Sequence, residues 1–258
     1  PDLSMIADAR EALAALRAQV ESTVPESIRQ SIQRRERWWK QLRTWQREQP
    51  MQFAGSRDHI KPQHVIRELH RLTNGEAIIV TDVGQHQMWA AQFYPFKRAR
   101  QWITSGGLGA MGFGVPAAIG AQLAFRDQLV IAVVGDGGFQ MTNQELATAV
   151  QYDLPVKIVI MNNGYLGMVR QWQEMFYDRA YSEVDMSVAP DFVKLAEAYG
   201  AFGVRATQPD ELPAVLAAGL SHKGVAVIEI VVAREENVFP IVPAGASSRD
   251  MIFHSEGV

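Results

Sequence analysis

The sequence contains no cysteine, which excludes a disulfide framework and thiol chemistry. It also has no apolar run of about 18 residues, so no membrane-spanning helix is expected. Neither sign of charge dominates, because 25 basic and 28 acidic side chains give a formal net charge of −3. That balance favours neither nucleic acid nor a membrane surface as a partner. What is present is an ordinary globular composition over 258 residues, with 47% hydrophobic and 21% charged residues.

Two apolar runs and the segment between them organise the chain. The runs Leu129–Val134 and Val156–Met161 end abruptly at Gly135-Asp136-Gly137 and Asn162-Asn163-Gly164. Runs of about six aliphatic residues that stop at glycine are typical of strands buried on both faces. Between them, Thr142-Asn143-Gln144-Glu145 has the pattern of a capping box, which predicts the start of a helix. Strand, helix and strand form a βαβ unit, so the two strands should be parallel.

Parallel strands end at the same edge of a sheet, which would place Asp136 beside Asn163. Carboxylate and amide oxygens are hard donors, and Mg²⁺ takes its other ligands from phosphates and water. Glycines around Asp136 would let a bulky anion approach the backbone at the start of the next helix. Gly-Asp-Gly followed after 24 residues by Asn-Asn resembles the pattern of thiamine-diphosphate enzymes. The sequence therefore predicts a site for a metal-bridged diphosphate, although a simple turn would explain Gly-Asp-Gly by itself.

Residues 1–57 have a different pattern from the rest. Residues 1–20 and 23–49 show helical periodicity, with Pro25 near the start of the second helix and Pro50 as its stop. The second helix is basic and contains three tryptophans, which suits a nucleic-acid or anionic membrane face. A surface helix explains it better, because the chain as a whole is acidic. We interpret this segment as the helical end of a preceding middle domain and its linker.

Residues 58–258 alternate between predicted strands and helices, which favours an α/β fold with a doubly wound, mainly parallel sheet and helices on both faces. The predicted strands are 77–81, 129–134, 156–161, 202–206 and 225–232. The polar stretch 178–189 is predicted to be a mobile lid.

Further candidate residues follow the first strand. The segment that follows the first strand, Asp82-Val83-Gly84-Gln85-His86, should lie at the same sheet edge as Asp136. His86 is either a phosphate donor or a surface residue. Asp82 could be a helix cap. Five glycines from Gly106 to Gly114 indicate a close backbone approach. The G-x-G-x-x-G within them follows no strong strand and lacks a downstream acidic partner, so no dinucleotide site is predicted. Met111 is either core or the support of a bound ring.

After Asn163, the side chains of Met168, Trp172 and Met175 fall at helical spacing. Two interpretations stay open at this point, a stripe of helix core or the wall of a substrate pocket next to the cofactor edge.

Four stretches together carry a more specific resemblance. They are Val83-Gly84-Gln85-His86-Gln87-Met88-Trp89, the SGGLGAMGFG segment, the GDG and NN pair, and Gly167-Met168-Val169-Arg170-Gln171-Trp172. From about Ile60 to Arg249 the chain resembles the catalytic large subunit of acetolactate synthase, also called acetohydroxyacid synthase. The resemblance implies the C-terminal thiamine-diphosphate-binding domain of a transferase of branched-chain amino-acid biosynthesis. That enzyme joins pyruvate to pyruvate or 2-ketobutyrate with loss of CO₂.

The resemblance also implies site residues. The metal ligands would be the side chains of Asp136 and Asn163 and the backbone carbonyl of Tyr165. Residues implied to contact thiamine diphosphate are Val83, Gly84, Gln85, His86, Gly109, Met111, Gly135, Gly137, Gly138 and Met168. Of these, Gly109 and Met111 would shape the aminopyrimidine pocket, with Met111 imposing a bent cofactor. Met168 would lie near the reaction centre, and Trp172 would favour the larger second substrate at a position associated with herbicides.

In the family, the cofactor-activating glutamate, the FAD site and most of the second ketoacid site belong to other domains. We therefore expect this chain to be inactive alone. The full-length enzyme would be a homodimer or homotetramer with FAD, with or without a small regulatory subunit. It would be cytoplasmic, or plastidic if a transit peptide once preceded Pro1. Two alternatives stay open: another thiamine-diphosphate enzyme (glyoxylate carboligase, pyruvate oxidase or 2-ketoacid decarboxylase), or a non-catalytic binding or assembly module.

Overall fold

The computed structural model describes residues 2–23, 25–48 and 50–253 and divides into two compact units, residues 1–52 and 53–258. The first unit contains helices α1 (Ala9–Glu21) and α2 (Pro25–Glu48). Helix α1 begins later than predicted, because the Asp8 side chain accepts from the first free backbone N–H groups and caps the helix there. The prediction for α2 is confirmed, with Pro25 at the first helical position, where a missing N–H is tolerated.

The second unit is a parallel sheet with helices on both faces. Its strands, in the described residues, are β1 (Ile78–Thr81), β2 (Trp102–Thr104), β3 (Val130–Gly135), β4 (Lys157–Asn162), β5 (Phe202–Ala206) and β6 (Ala226–Val231). Its helices there are α3 (Pro62–Leu72), α4 (Gln85–Phe93), α5 (Gly114–Ala124), α6 (Asp136–Thr142), α7 (Leu146–Gln151), α8 (Gly167–Phe176), α9 (Phe192–Ala198) and α10 (Leu212–Ser221). The strand order is β2-β1-β3-β4-β6-β5 and every pairing is parallel, which confirms the predicted fold class.

Alternate strand residues point to opposite faces, so the sheet supports two apolar cores. Ile79 and Ile131 pack with α3, α4 and α10 on one face. Val80 and Val134 pack with α5, α7 and α9 on the other. Burying such a side chain contributes about 1.5–3 kcal/mol, which explains why the strand β3 is a continuous run of aliphatic residues up to Gly135.

Two local predictions were wrong. Strand β2 was not predicted, because three residues at a sheet edge are too few to show a periodic pattern. The helix after β3 begins at Asp136 instead of at Thr142, since small residues allow an immediate turn into α6. No capping box forms at Thr142; its hydroxyl donates to the carbonyl of Gly112 instead, and a 3₁₀ turn (Asn143–Glu145) follows.

The strand order reverses between β1 and β3, because the chain continues from β1 outward to β2 and from β3 outward to β4 on the other side. At such a switch point the loops after the two strands diverge and leave a crevice at their carboxyl ends. Asp82 directly follows β1 and Asp136 directly follows β3, so the topology itself brings predicted site residues together. Within the described ranges, no helix combines the length and apolar character needed to cross a membrane.

Candidate functional site

A cleft of about 90 Å³ lies at the carboxyl ends of β1, β3 and β4. The predicted residues that line it are Val83, Gly84, Gln85, His86, Met111, Gly135, Asp136, Gly137, Gly138, Asn163, Tyr165 and Met168. Gly109 and Trp172 do not line this cleft. Cofactor sites usually enclose about 300–1,000 Å³, so the cleft is large enough for only part of a cofactor.

Asp136 and Asn163 both accept hydrogen bonds from the backbone of the turn between β4 and α8 (Asn163–Leu166), hereafter the β4–α8 turn. Asp136 is only 2% exposed, and its Oδ2 accepts from the N–H of Gly164 at 3.0 Å. The Oδ1 of Asn163 accepts from the N–H of Tyr165 at 3.2 Å. Burial raises the pKa of Asp136 to about 6, although the backbone N–H groups of Gly137 and Gly164 lower it. A bound cation would relieve this buried carboxylate.

The donor set decides which cation this place suits. No cluster of three or more His, Cys, Asp or Glu side chains able to hold a metal occurs among the described residues. A cation beside Asp136 would therefore be completed by amide and carbonyl oxygens and by oxygens of a ligand or water. That is how Mg²⁺ binds together with phosphates, so the residues present fit a magnesium diphosphate.

Three glycines keep the floor of the cleft free of side chains. A Cβ at Gly135 would lie 3.1 Å from His86 Nδ1, and one at Gly137 would lie 2.7 Å from a methyl of Leu166. At Gly138, a Cβ would lie 2.8 Å from the carboxylate of Asp82. These three positions have no room for a side chain, so only glycine lets the backbone, His86, Leu166 and Asp82 pack this closely at the cleft.

Two polar atoms on one face of α4 lack a partner in the structure. His86 Nε2 and Trp89 Nε1 are buried without a hydrogen bond, and both residues line the cleft. Burial lowers the pKa of His86 to about 4, against the opposing charge of Asp82, so the imidazole is neutral at pH 7. Buried polar groups are nearly always paired, and these two indicate that a polar ligand completes the site.

Asp82 holds the wall of the cleft together. Its carboxylate accepts from the backbone N–H groups of Val83, Gly112 and Gly114 at 2.7, 3.0 and 2.9 Å. These bonds tie the end of β1 to the glycine-rich segment and bring Met111 into the lining. Sequence analysis considered Asp82 only as a possible helix cap. The signal it missed was an aspartate at a strand end paired with a distant glycine cluster.

Gln85 orients Asn163. Its Oε1 accepts from the Nδ2 of Asn163 at 3.3 Å, and its Nε2 donates to Gln171 Oε1 and to the Glu236 carbonyl, both at 2.9 Å. Gln171 in turn bonds both backbone polar groups of Val238. The side chain predicted to contact diphosphate thus links Asn163 of the β4–α8 turn to Gln171 and to the Glu236 backbone.

An apolar pocket of about 460 Å³ adjoins the cleft and shares Met168 and Val169 with it. Trp172 lines this pocket and is 39% exposed, with its ring against Phe176. The sequence left two interpretations open for this helix, core packing or a pocket wall. Met175 is buried and belongs to the packed side of the helix, whereas Met168 and Trp172 line the pocket.

The stretch predicted to be a mobile lid is bonded to the β4–α8 turn. Leu166 donates its N–H to the Val184 carbonyl, and Met186 donates its N–H to the Gly164 carbonyl, both at 2.9 Å. Arg234 places its guanidinium 4.1 Å from the centre of the Tyr165 ring and also bonds Asp185 at 2.7 Å. In this conformation the middle of the stretch is thus part of the site.

Several curated proteins are similar to this chain in sequence. The E. coli (strain K12) acetolactate synthase isozyme 3 large subunit is 43% identical over 253 residues, which are 97% of this chain and 44% of that protein. The Lactococcus lactis acetolactate synthase large subunit is 49% identical over 215 residues, 83% of this chain and 37% of its own. Acetolactate synthase 1, chloroplastic, of Nicotiana tabacum is 42% identical over 265 residues, 100% of this chain and 39% of its own.

The chain spans about two fifths of the length of these relatives. Their similarity confirms the resemblance to acetolactate synthase large subunits that the motifs indicated. Residues 82–230 match the family described as thiamine pyrophosphate enzyme, C-terminal TPP binding domain. That match covers more than half of the sequence and includes β3, β4 and the β4–α8 turn. The chain therefore belongs to the family of C-terminal TPP binding domains of thiamine pyrophosphate enzymes.

Proposed function

We propose that this chain is the thiamine-diphosphate- and Mg²⁺-binding part of an acetolactate synthase, which joins two 2-ketoacids to an acetohydroxyacid and releases CO₂. The observation that carries the proposal is the meeting of Asp136 and Asn163 in a glycine-floored cleft that opens beside an apolar pocket. The cleft suits a metal-bridged diphosphate. The adjoining pocket suits the short alkyl group of a ketoacid.

Each residue of the cleft would have a separate task. Asp136, Asn163 and the Tyr165 carbonyl would supply oxygen ligands to Mg²⁺. Gly135, Gly137 and Gly138 would let the diphosphate approach the backbone, together with Val83 and Gly84. His86 would contact the diphosphate through its free Nε2, and donation to a phosphate oxygen requires the ring proton on Nε2 instead of on Nδ1, which faces the Asp82 backbone. Gly109 and Met111 would shape the pocket for the aminopyrimidine ring of the cofactor.

When bound, thiamine diphosphate supplies the carbon nucleophile and the electron sink for loss of CO₂. The protein would contribute position and exclusion of water. Met168 would pack against the reacting end of the cofactor. Trp172 would favour the larger second ketoacid, because its half-exposed ring offers apolar surface to a longer alkyl group than that of pyruvate.

Proton transfer at the cofactor would need a carboxylate from elsewhere. Asp136 is the only carboxylate among the described residues that line the cleft, and it is assigned to the metal. The activating glutamate would come from another domain of a partner subunit. The active form would accordingly be a homodimer or homotetramer with FAD, with or without a regulatory subunit, in the cytoplasm or in a plastid.

Titration calorimetry of the chain with thiamine diphosphate, with and without Mg²⁺, tests the binding part. We expect metal-dependent binding that Asp136→Ala abolishes and that Asp178→Ala, an exposed control outside the cleft, leaves intact. Binding that is equally tight without metal would contradict the assignment.

The catalytic part is tested by product analysis with pyruvate. The chain alone should form no acetolactate, and turnover like that of an intact enzyme would refute its dependence on another domain. In an enzyme that contains the chain, acetolactate is expected. Acetaldehyde or oxidised products would instead support a decarboxylase or an oxidase.

A further inference from the structure

Glu229 is a charged residue in the middle of an apolar strand. It lies in β6, is 3% exposed, and uses both carboxylate oxygens. Oε1 accepts from the Nδ2 of Asn162 at 2.8 Å, and Oε2 accepts from the Nε of Arg205 at 2.7 Å. Arg205, its partner in the β5–β6 register, also donates to the Asp191 carboxylate that caps α9.

Asn162 carries this network to the carboxylate of the cleft. Its Oδ1 accepts from the N–H of Gly164 at 3.0 Å, and the same N–H lies 3.0 Å from Asp136 Oδ2. A carboxylate only accepts hydrogen bonds, so Glu229 compels the amide of Asn162 to present Nδ2 to it. The opposite end of the amide, Oδ1, is thereby held toward Gly164. Glu229 thus fixes the first bond of the β4–α8 turn.

We propose that Asn162 and Glu229 are positioning residues for the divalent cation bound by Asp136 and Asn163, with Arg205 holding Glu229 in place. The inference rests on the proposed function, because it concerns the same cation. A buried ion pair contributes little net stability relative to well-packed apolar residues, and an aliphatic residue would suit β6 at this position. What the carboxylate adds is the orientation of Asn162, and groups that orient metal ligands act in this indirect way.

The test measures Mn²⁺, a spectroscopic substitute for Mg²⁺, by electron paramagnetic resonance on the full chain with thiamine diphosphate. The variant is Glu229→Gln, whose amide cannot accept from both Asn162 and Arg205. The matched control is Glu68→Gln in α3, which also removes the charge of a buried carboxylate paired with an arginine, here the exposed Arg71, away from the cleft. Unfolding is followed for both variants, so that a loss of stability is separated from a loss of cation affinity.

We expect Glu229→Gln to raise the dissociation constant of Mn²⁺ by about 10- to 100-fold, as for other groups that orient metal ligands. Glu68→Gln should leave it within about twofold of the wild type, and Arg205→Lys, which keeps a cation beside Oε2, should retain most of the wild-type affinity. Unchanged affinity in Glu229→Gln, or an equal loss in both glutamine variants, would overturn the positioning role.

If Glu229→Gln does not fold, Asn162→Ala is the second variant. It removes the bond to the N–H of Gly164 in the same turn, at a residue that is only partly buried. It should raise the dissociation constant by about tenfold or more; wild-type affinity in this variant would also overturn the inference. If the wild-type chain itself takes up no Mn²⁺ with thiamine diphosphate, the proposed cofactor site is refuted and the positioning role falls with it.

Discussion

Asp136 should destabilise the protein when no cation is bound, and Asp136→Asn should therefore stabilise it. Burial raises the pKa of this carboxyl from its ordinary value of 3.8 to about 6. One pKa unit corresponds to about 1.4 kcal/mol, so the ionised carboxylate costs the folded state about 3 kcal/mol at pH 7. Asparagine carries no charge and keeps an oxygen that can accept from Gly164. We expect the variant to be more stable by about 1–3 kcal/mol at pH 7.

The pH dependence of this gain in stability tests whether the buried charge of Asp136 is its cause. Because the pKa of Asp136 is higher in the folded than in the unfolded chain, the folded protein binds the proton more tightly between about pH 4 and pH 6. As the pH rises through this window, the free energy of unfolding of the wild type should fall relative to that of Asp136→Asn. The gain from the substitution is thus absent near pH 4 and complete above pH 7. Comparing the two proteins at each pH cancels the titration of His86 and of other groups.

Urea unfolding in the presence of EDTA, at several pH values from 4.5 to 8, measures this difference, with loss of Mg²⁺-dependent thiamine-diphosphate binding as the second readout. The expected pair of results is greater stability without ligand and no metal-dependent binding. A gain that does not change with pH would show that packing and not charge is responsible. A loss of stability at pH 8 would refute the reasoning.

Three further predictions concern other parts of the site. Asp82→Ala leaves buried backbone N–H groups unpaired and should reduce the free energy of unfolding by about 2–4 kcal/mol in urea titrations, whereas an effect below about 0.5 kcal/mol would contradict its structural role. Gly138→Ala places a Cβ against the carboxylate of Asp82 and should lower both the thermal midpoint and the cofactor affinity. Its control is Gly120→Ala in α5, where the added Cβ has no atom within 4 Å and should stabilise the helix by about 0.5–1 kcal/mol. Trp172→Leu should change stability by less than about 1 kcal/mol because the ring is half exposed. In an enzyme containing the chain it should shift product ratios toward the smaller ketoacid, and an unchanged ratio in competition assays would remove Trp172 from the specificity pocket.

The parts of the fold that sequence predicted are those set by local patterns. Apolar runs ending in glycine located β3 and β4, and the parallel topology then placed Asp136 near Asn163. The rest depends on contacts between distant residues. Nothing near Asp82 in sequence shows that its carboxylate binds the backbone of Gly112 and Gly114. Nothing within β6 shows that Glu229 meets a side chain from β4. Such pairings become visible only once strand order and register are known.

The site as a whole exchanges stability for binding. Asp136 is a buried carboxylate, His86 Nε2 has no hydrogen-bond partner, and the glycines of the cleft floor contribute no side chains to packing. A ligand present at a hundred times its dissociation constant stabilises the folded state by about 2.7 kcal/mol. That is close to the cost of about 3 kcal/mol worked out for the Asp136 carboxylate from its pKa. Binding of metal and cofactor at the proposed site would therefore offset most of this cost, and the hydrogen bonds of Asp82, Gln85 and Glu229 hold the surrounding backbone in place.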